Sequence, residues 1–312
     1  MFSLGFSTER THEINKPCSE VFSHLADFSN WPAWSPWLCQ EPDCPVTISG
    51  TLGVIGYSQK WEGRAIGEGC IELMSFEQDL SLDYELKTIK PWKSKSGVSF
   101  KLKETKNGCK VSWSMKGSVP FFLFFMRRMM SSLIGCDYDR GLSMLTDILE
   151  QGEILSASED EGKVIQEPFY LVGVRTTCNI KDIESAMEND FCTLEKALDD
   201  NSLPQSKSLG SVYEKYDMVK GTVRYVSGVI YSSITQPPDG FVVVSAPQHT
   251  ALRVDHKGAY KHLGNSWAKA MGLQRYLKLK CHKGIAPYEI YRTDPKEHAD
   301  RDLVTEIYVP IR

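Results

Sequence analysis

The stretch VPFFLFFMRRMMSSLIGCDYDRGLSMLTDILE, Val119 to Glu150, decides the fold of the first half of the chain. Met130, Ile134, Tyr138 and Leu142 recur one helical turn apart, and Leu145 and Leu149 continue the stripe. That spacing predicts a long helix over 119–150 with a single apolar face, and such a face needs a partner surface. Gly135 and Gly141 within it cost about 1 kcal/mol each against alanine on an exposed helix. Their presence points to close packing on a neighbouring sheet. The most apolar part, Val119 to Met130, is interrupted by Arg127 and Arg128 and is too short to cross a bilayer as a helix. It reads as the opening of the same buried amphipathic helix.

Upstream, SQKWEGRA, GCIELMSF, LSLDYELKT, GVSFKLKE and CKVSWSMKG are short strand-like runs separated by Gly, Asp, Asn or Pro. They predict an antiparallel meander over 45–116, the sheet the helix requires. Before it, Val21, Phe22, Leu25 and Phe28 have helical spacing, preceded by a strand near Glu9 to Ile14. Downstream, GEILSASEDEGK is acidic and serine-rich with little apolar periodicity, which predicts a linker over 153–164 between domains at 1–152 and 165–312. The second half then offers a strand near 166–178, a helix over 182–198 and several strands. A second helix over 260–271 and strands near 286–292 and 303–311 follow.

A chain of 312 residues suits two cores, and 41% hydrophobic with 24% charged residues is an ordinary globular balance. The net charge of −4, with scattered Lys and Arg, points away from a direct nucleic-acid partner. Nine irregularly spaced cysteines form neither a disulfide framework nor a paired CxxC site and read as reduced thiols of a cytoplasmic protein. The first residues lack the features of a signal peptide. No HxxxH or HxH pair beside a carboxylate, glycine-rich phosphate loop or GxSxG elbow is present, so neither a metal nor a cofactor is expected.

Several motifs carry a resemblance. Pro17-x-x-x-Val21-Phe22, the tryptophan-rich NWPAWSPW (30–37), KWEG, VSWSMKG and IGCDYDRGLSML make residues 1–150 similar to the START-like superfamily, in its polyketide cyclase/dehydrase branch. HKGAYKHLGNSW (256–267), APYEIYRTDP (286–295) and VTEIYVPIR (304–312) make residues 165–312 resemble the GyrI-like effector-binding domain of AraC-type and MerR-type regulators. Together the resemblances imply an α+β chain. A START-like helix-grip domain comes first, a curved antiparallel sheet around a long C-terminal helix with a deep apolar cavity between them. A GyrI-like pseudo-twofold αβ domain follows, with a ligand groove where its two modules meet. No segment offers the helix-turn-helix that regulator relatives carry.

Glu289 is the leading candidate residue. Alternation along APYEIY sets Glu289 and Tyr291 on one face and Tyr288 and Ile290 on the other, so a carboxylate and an aromatic share a surface. If that surface is the groove, it suits a cationic or electron-poor aromatic ligand; the bland reading is a polar edge-strand residue. The resemblance implies the former, since the position matches the acidic residue regulators use toward cationic drugs. It also matches a carboxylate implicated in hydrolases that open cyclopropane-bearing toxins. Tyr260 and Trp267 share a helix face, and Tyr225 and Tyr231 a strand face; each pair either lines the groove or fills the core. Trp31, Trp34, Trp37 and Trp61 are expected to close the first core. Two functions stay open: a small-molecule sensor, sequestering or delivery protein for hydrophobic or aromatic ligands, or a hydrolase of reactive aromatics with Glu289 as its catalytic candidate.

Overall fold

In the computed structural model, which describes residues 3–120, 124–206, 208–233 and 236–312, the chain divides into two units, Met1–Leu155 and Ser156–Arg312. The first begins with β1 (Ser3–Ile14), then α1 (Cys18–Ala26) and the short α2 (Trp31–Trp34). The meander follows as β2 (Val46–Ser49), β3 (Ser58–Glu62), β4 (Glu68–Glu77), β5 (Ser81–Lys90), β6 (Ser94–Glu104) and β7 (Cys109–Pro120), and α3 (Met126–Gln151) ends the unit. The sheet order is β1-β7-β6-β5-β4-β3-β2, so every meander strand pairs with its sequence neighbour and β1 closes on β7, from Ser3↔Pro120 to Ile14↔Cys109.

Helix α3 buries Tyr138, Leu142, Leu145 and Leu149 of the stripe read from the sequence, while its first members, Met130 and Ile134, are half-buried. A Cβ on Gly141 would stand 2.8 Å from Trp113 Cζ3 and 3.0 Å from Pro36 Cδ, so the glycine lets the helix backbone approach the sheet. The helix starts at Met126, not at Val119. Val119 and Pro120 belong to β7, and residues 121–123 of the expected helix lie outside the described residues.

The expected apolar cavity between sheet and helix is occupied by rings. Trp31 contacts Trp34 at 5.1 Å, Trp34 meets Trp113 edge-on at 5.5 Å, and Trp113 stacks on Tyr138 at 3.8 Å. These tryptophans close a core, as expected, while Trp37 and Trp61 pack on it half-buried. Glu62, next to Trp61, faces solvent. Glu41 is a buried exception among the acids: its carboxylate accepts the backbone N–H groups of Arg64, Ala65 and Ile66 at 2.7, 2.8 and 3.2 Å and thereby closes the turn after β3.

The second unit contains β8 (Ser156–Gln166), β9 (Phe169–Asn179), α4 (Ile183–Asp199), β10 (Leu209–Asp217), β11 (Thr222–Tyr231), β12 (Val242–Ala246), β13 (His249–Gly258), α5 (Leu263–Tyr276), β14 (Tyr288–Tyr291) and β15 (Val304–Ile311). Its eight-stranded sheet has the order β12-β9-β11-β10-β14-β15-β13-β8. Strand-helix-strand-strand therefore occurs twice, as β9-α4-β10-β11 and β13-α5-β14-β15, and the two modules meet at the β10–β14 pair. The segment expected as a linker is mostly β8, a polar edge strand paired with β13 from His249↔Gln166 to Gly258↔Ser156. Charge and serine blunt an edge strand as readily as they solvate a linker, which is why composition misread it. Among the described residues no helix is long and apolar enough to cross a membrane.

Candidate functional site

Pairing register puts Glu289 at the middle of the second unit. It lies between Ser211 of β10 and Ile307 of β15, while Tyr291 lies between Leu209 and Thr305. The alternation holds. Glu289 and Tyr291 face the side on which α4 packs over β9 and β11 and α5 over β13 and β15. Strands β10 and β14 are left between the helices, and Glu289 sits in that interval.

The carboxylate is 1% exposed, so its charge must be met by neighbours. Trp267 Nε1 on α5 donates to Oε1, and the Tyr291 hydroxyl donates to Oε2 at 2.7 Å. Having spent its proton there, Tyr291 can take one from Ser211, whose Oγ is 3.0 Å away and itself 2.9 Å from Ser227 Oγ. Tyr213 is the third donor. Burial pushes the Glu289 carboxyl above the usual carboxylate range, and the bonds from Trp267, Tyr291 and Tyr213 pull it back only in part. Burial, and then the Glu289 charge, push Tyr260 up to about 12 and raise Tyr213 and Tyr291 well above an ordinary tyrosine.

Rings wall the site. Tyr213 meets Trp267 edge-on at 5.3 Å, Tyr260 meets Tyr291 at 6.0 Å, and Phe191 of α4 meets Tyr291 at 5.6 Å. Tyr225 continues the wall beyond Tyr213 at 6.2 Å. Five of the six residues singled out in the sequence thus come together: Glu289, Tyr291, Tyr260, Trp267 and Tyr225. Tyr231 does not join them. It shares the strand face with Tyr225 but lies at the other end, where its hydroxyl donates to Pro204 O at 2.6 Å. Sequence reasoning missed Tyr213, Ser211, Phe191 and Asp190. Asp190 is buried on α4, accepts from Thr176 Oγ1 at 2.8 Å, and has the Tyr225 hydroxyl beside its carboxylate.

A second buried glutamate gives the contrast that matters. Glu306 of β15, on the opposite face, is clamped by Arg253 at 2.8 Å and Arg292 at 2.6 Å and accepts from the Tyr308 hydroxyl at 2.7 Å. Glu289 has only neutral donors. That opposite face also carries an open cleft of about 420 Å³ bounded by Phe169, Val212, Ala246, Ile285 and Tyr288; Glu289 does not line it. Among the described residues no cluster of His, Cys, Asp or Glu is disposed to hold a metal ion.

Comparison with known proteins agrees with this division. The family described as polyketide cyclase / dehydrase and lipid transport matches residues 5–150, and the family described as GyrI-like small molecule binding domain matches residues 164–312. Solved structures similar to the chain include the Aha1 dimer from Colwellia psychrerythraea, at 18% identity over 47% of this chain and 98% of that one, TM-score 0.37. A protein from Chromobacterium violaceum is 11% identical over 46% of this chain and 96% of its own, TM-score 0.37. EcmrR, in its complex with DNA, is 15% identical over 61% of this chain and 69% of its own, TM-score 0.42. None of the curated proteins compared with the chain matches it. The chain therefore carries, in this order, a START-like domain of the polyketide cyclase/dehydrase type and a GyrI-like small-molecule-binding domain.

Proposed function

We propose that the GyrI-like unit binds a cationic aromatic small molecule at Glu289, and that the chain is a cytoplasmic sensor, sequestering or delivery protein acting without direct contact with nucleic acid. The observation that carries this reading is a buried carboxylate held by three neutral donors and walled by aromatic rings, with no arginine or lysine among its hydrogen-bond partners. A carboxylate in that state gains most from a partner that brings positive charge, and ring faces add cation–π attraction. Entry requires Trp267 to give up its bond, since its indole stands on the carboxylate. The ligand replaces one neutral donor with a positive charge.

The hydrolase reading draws on the same residue, because a glutamate whose pKa is raised by burial is suited to general-base work. The two readings separate in one experiment on the full chain. Aromatic quaternary ammonium compounds and their neutral analogues are tested for thermal stabilisation, and each mixture is then assayed for product. Binding predicts stabilisation by the cations without turnover. Turnover of a strained or ester-bearing aromatic that disappears in Glu289→Gln would establish the enzyme instead, and no stabilisation by any cation would remove the binding reading.

A further inference from the structure

The two phenylalanines just before α3 are not buried. Phe124 and Phe125 are 60% and 64% exposed, with ring centroids 6.0 Å apart. The first turns of α3 stay out of the core, Leu133 is 40% exposed, and the first fully buried helix residue is Gly135. The same end of the sheet bears a second exposed ring. Register Gly97↔Lys116, continued along β6 and β7, sets Ser94 level with Val119, and Ser96 Oγ lies against Gly117. The tip between β5 and β6 therefore lies beside the end of β7, and it presents Trp92, 55% exposed, next to Ile89.

Charge at this end runs against the rest of the chain. The net charge is −4, yet no Asp or Glu occurs between Glu85 and Glu104 or between Glu104 and Asp137, and Glu68, which lies across from the tip on β4, is paired with Lys90. Lys93, Lys116, Arg127 and Arg128 are exposed here, and none forms an ion pair among the described residues. Exposed aromatics ringed by uncompensated cations suit one kind of surface. A protein interface core is depleted in lysine, and a second copy of this chain would set like charges against each other. A bilayer takes aromatic rings at the level of its headgroups, and anionic headgroups attract the surrounding lysines and arginines.

We propose that this end of the first unit docks on an anionic phospholipid surface, with Phe124, Phe125 and Trp92 entering the headgroup boundary and Lys93, Lys116, Arg127 and Arg128 meeting phosphates. The attachment is peripheral, since no helix among the described residues can span the bilayer. It is independent of the Glu289 site.

The test is co-sedimentation of the full chain with vesicles of phosphatidylcholine and phosphatidylglycerol, against vesicles of phosphatidylcholine only. The chain is expected on the anionic vesicles, and less of it as salt rises. The double variant Phe124→Ser/Phe125→Ser should lower the partition at least about tenfold while keeping the wild-type melting temperature, because both rings are exposed. Arg127→Gln/Arg128→Gln should lower it about 30-fold and flatten the salt dependence. Absence of the wild-type chain from anionic vesicles, or equal partition of the variants, overturns the proposal. So does a serine variant that melts lower, which would mean the rings are covered within the chain. A serine variant that dissociates an oligomer without changing vesicle binding would show that a second copy covers the patch.

Discussion

Trp267→Phe keeps an aromatic ring on α5 but removes, along with part of the indole, the Nε1–H whose hydrogen bond Glu289 accepts. A hydrogen bond to an ionised buried group contributes about 1.5–3 kcal/mol, so about 2 kcal/mol of the unit's stability should be lost at neutral pH. For a unit of this size that is a fall of about 4–8 °C in melting temperature. The pH dependence separates this effect from lost packing. The Glu289 carboxyl is raised by burial, so the folded state binds its proton more tightly than the unfolded state does. Its contribution to stability therefore declines as pH rises from the unfolded value through the folded one. Removing a donor raises the folded value further, so the gap between wild type and variant should widen as pH rises through that window. A change due to packing would not move with pH. Hydrogen exchange of the β14 and β15 amides reports on this unit separately from the first. Unchanged protection at neutral pH, or a gap that narrows as pH rises, would refute the account of the carboxylate.

Two further outcomes concern the first unit. Glu41→Gln should cost about 2 kcal/mol at neutral pH, since three backbone donors lose a charged acceptor. Burial opposes the Glu41 charge, but the N–H groups of Arg64, Ala65 and Ile66 hold its carboxyl below the usual range. The wild-type advantage should thus be present above the unfolded pKa and vanish as pH falls through the folded one in urea titrations; an advantage surviving in strong acid would count against it. Gly141→Ala should destabilise by about 1–3 kcal/mol despite alanine's higher helix propensity, because the new methyl meets Trp113 and Pro36. A neutral or stabilising result in thermal melts would mean that α3 can shift off the sheet at little cost.

Much of this architecture was legible in short patterns. Tyr138, Leu142, Leu145 and Leu149 of the stripe are the buried face of α3, and the alternation in APYEIY set Glu289 and Tyr291 on the face that α4 and α5 cover. Such readings succeed because both periodicities are local. Errors arose where one local pattern has two physical causes. The acidic segment 153–164 is polar because β8 is an edge strand, and Phe124 and Phe125 are apolar without being part of a buried helix. Tyr213 and Asp190 were missed for another reason. They reach the site through the pairing Tyr213↔Tyr225 and Tyr225↔Thr176, and the register between distant strands is not written in either strand's own sequence.

The central claim is that Glu289 recognises positive charge. Calorimetric titration of wild type and Glu289→Gln with 4-tert-butylphenol and its trimethylammonium isostere tests it most directly, because the two ligands share a shape and differ in charge. Wild type should prefer the cation. The variant should lose at least about 2 kcal/mol, roughly 30-fold, toward the cation while binding the neutral phenol nearly as before. Equal weakening toward both ligands, or no preference for the cation in wild type, would contradict the claim and leave Glu289 as a structural carboxylate that ties α5 to the sheet through Trp267.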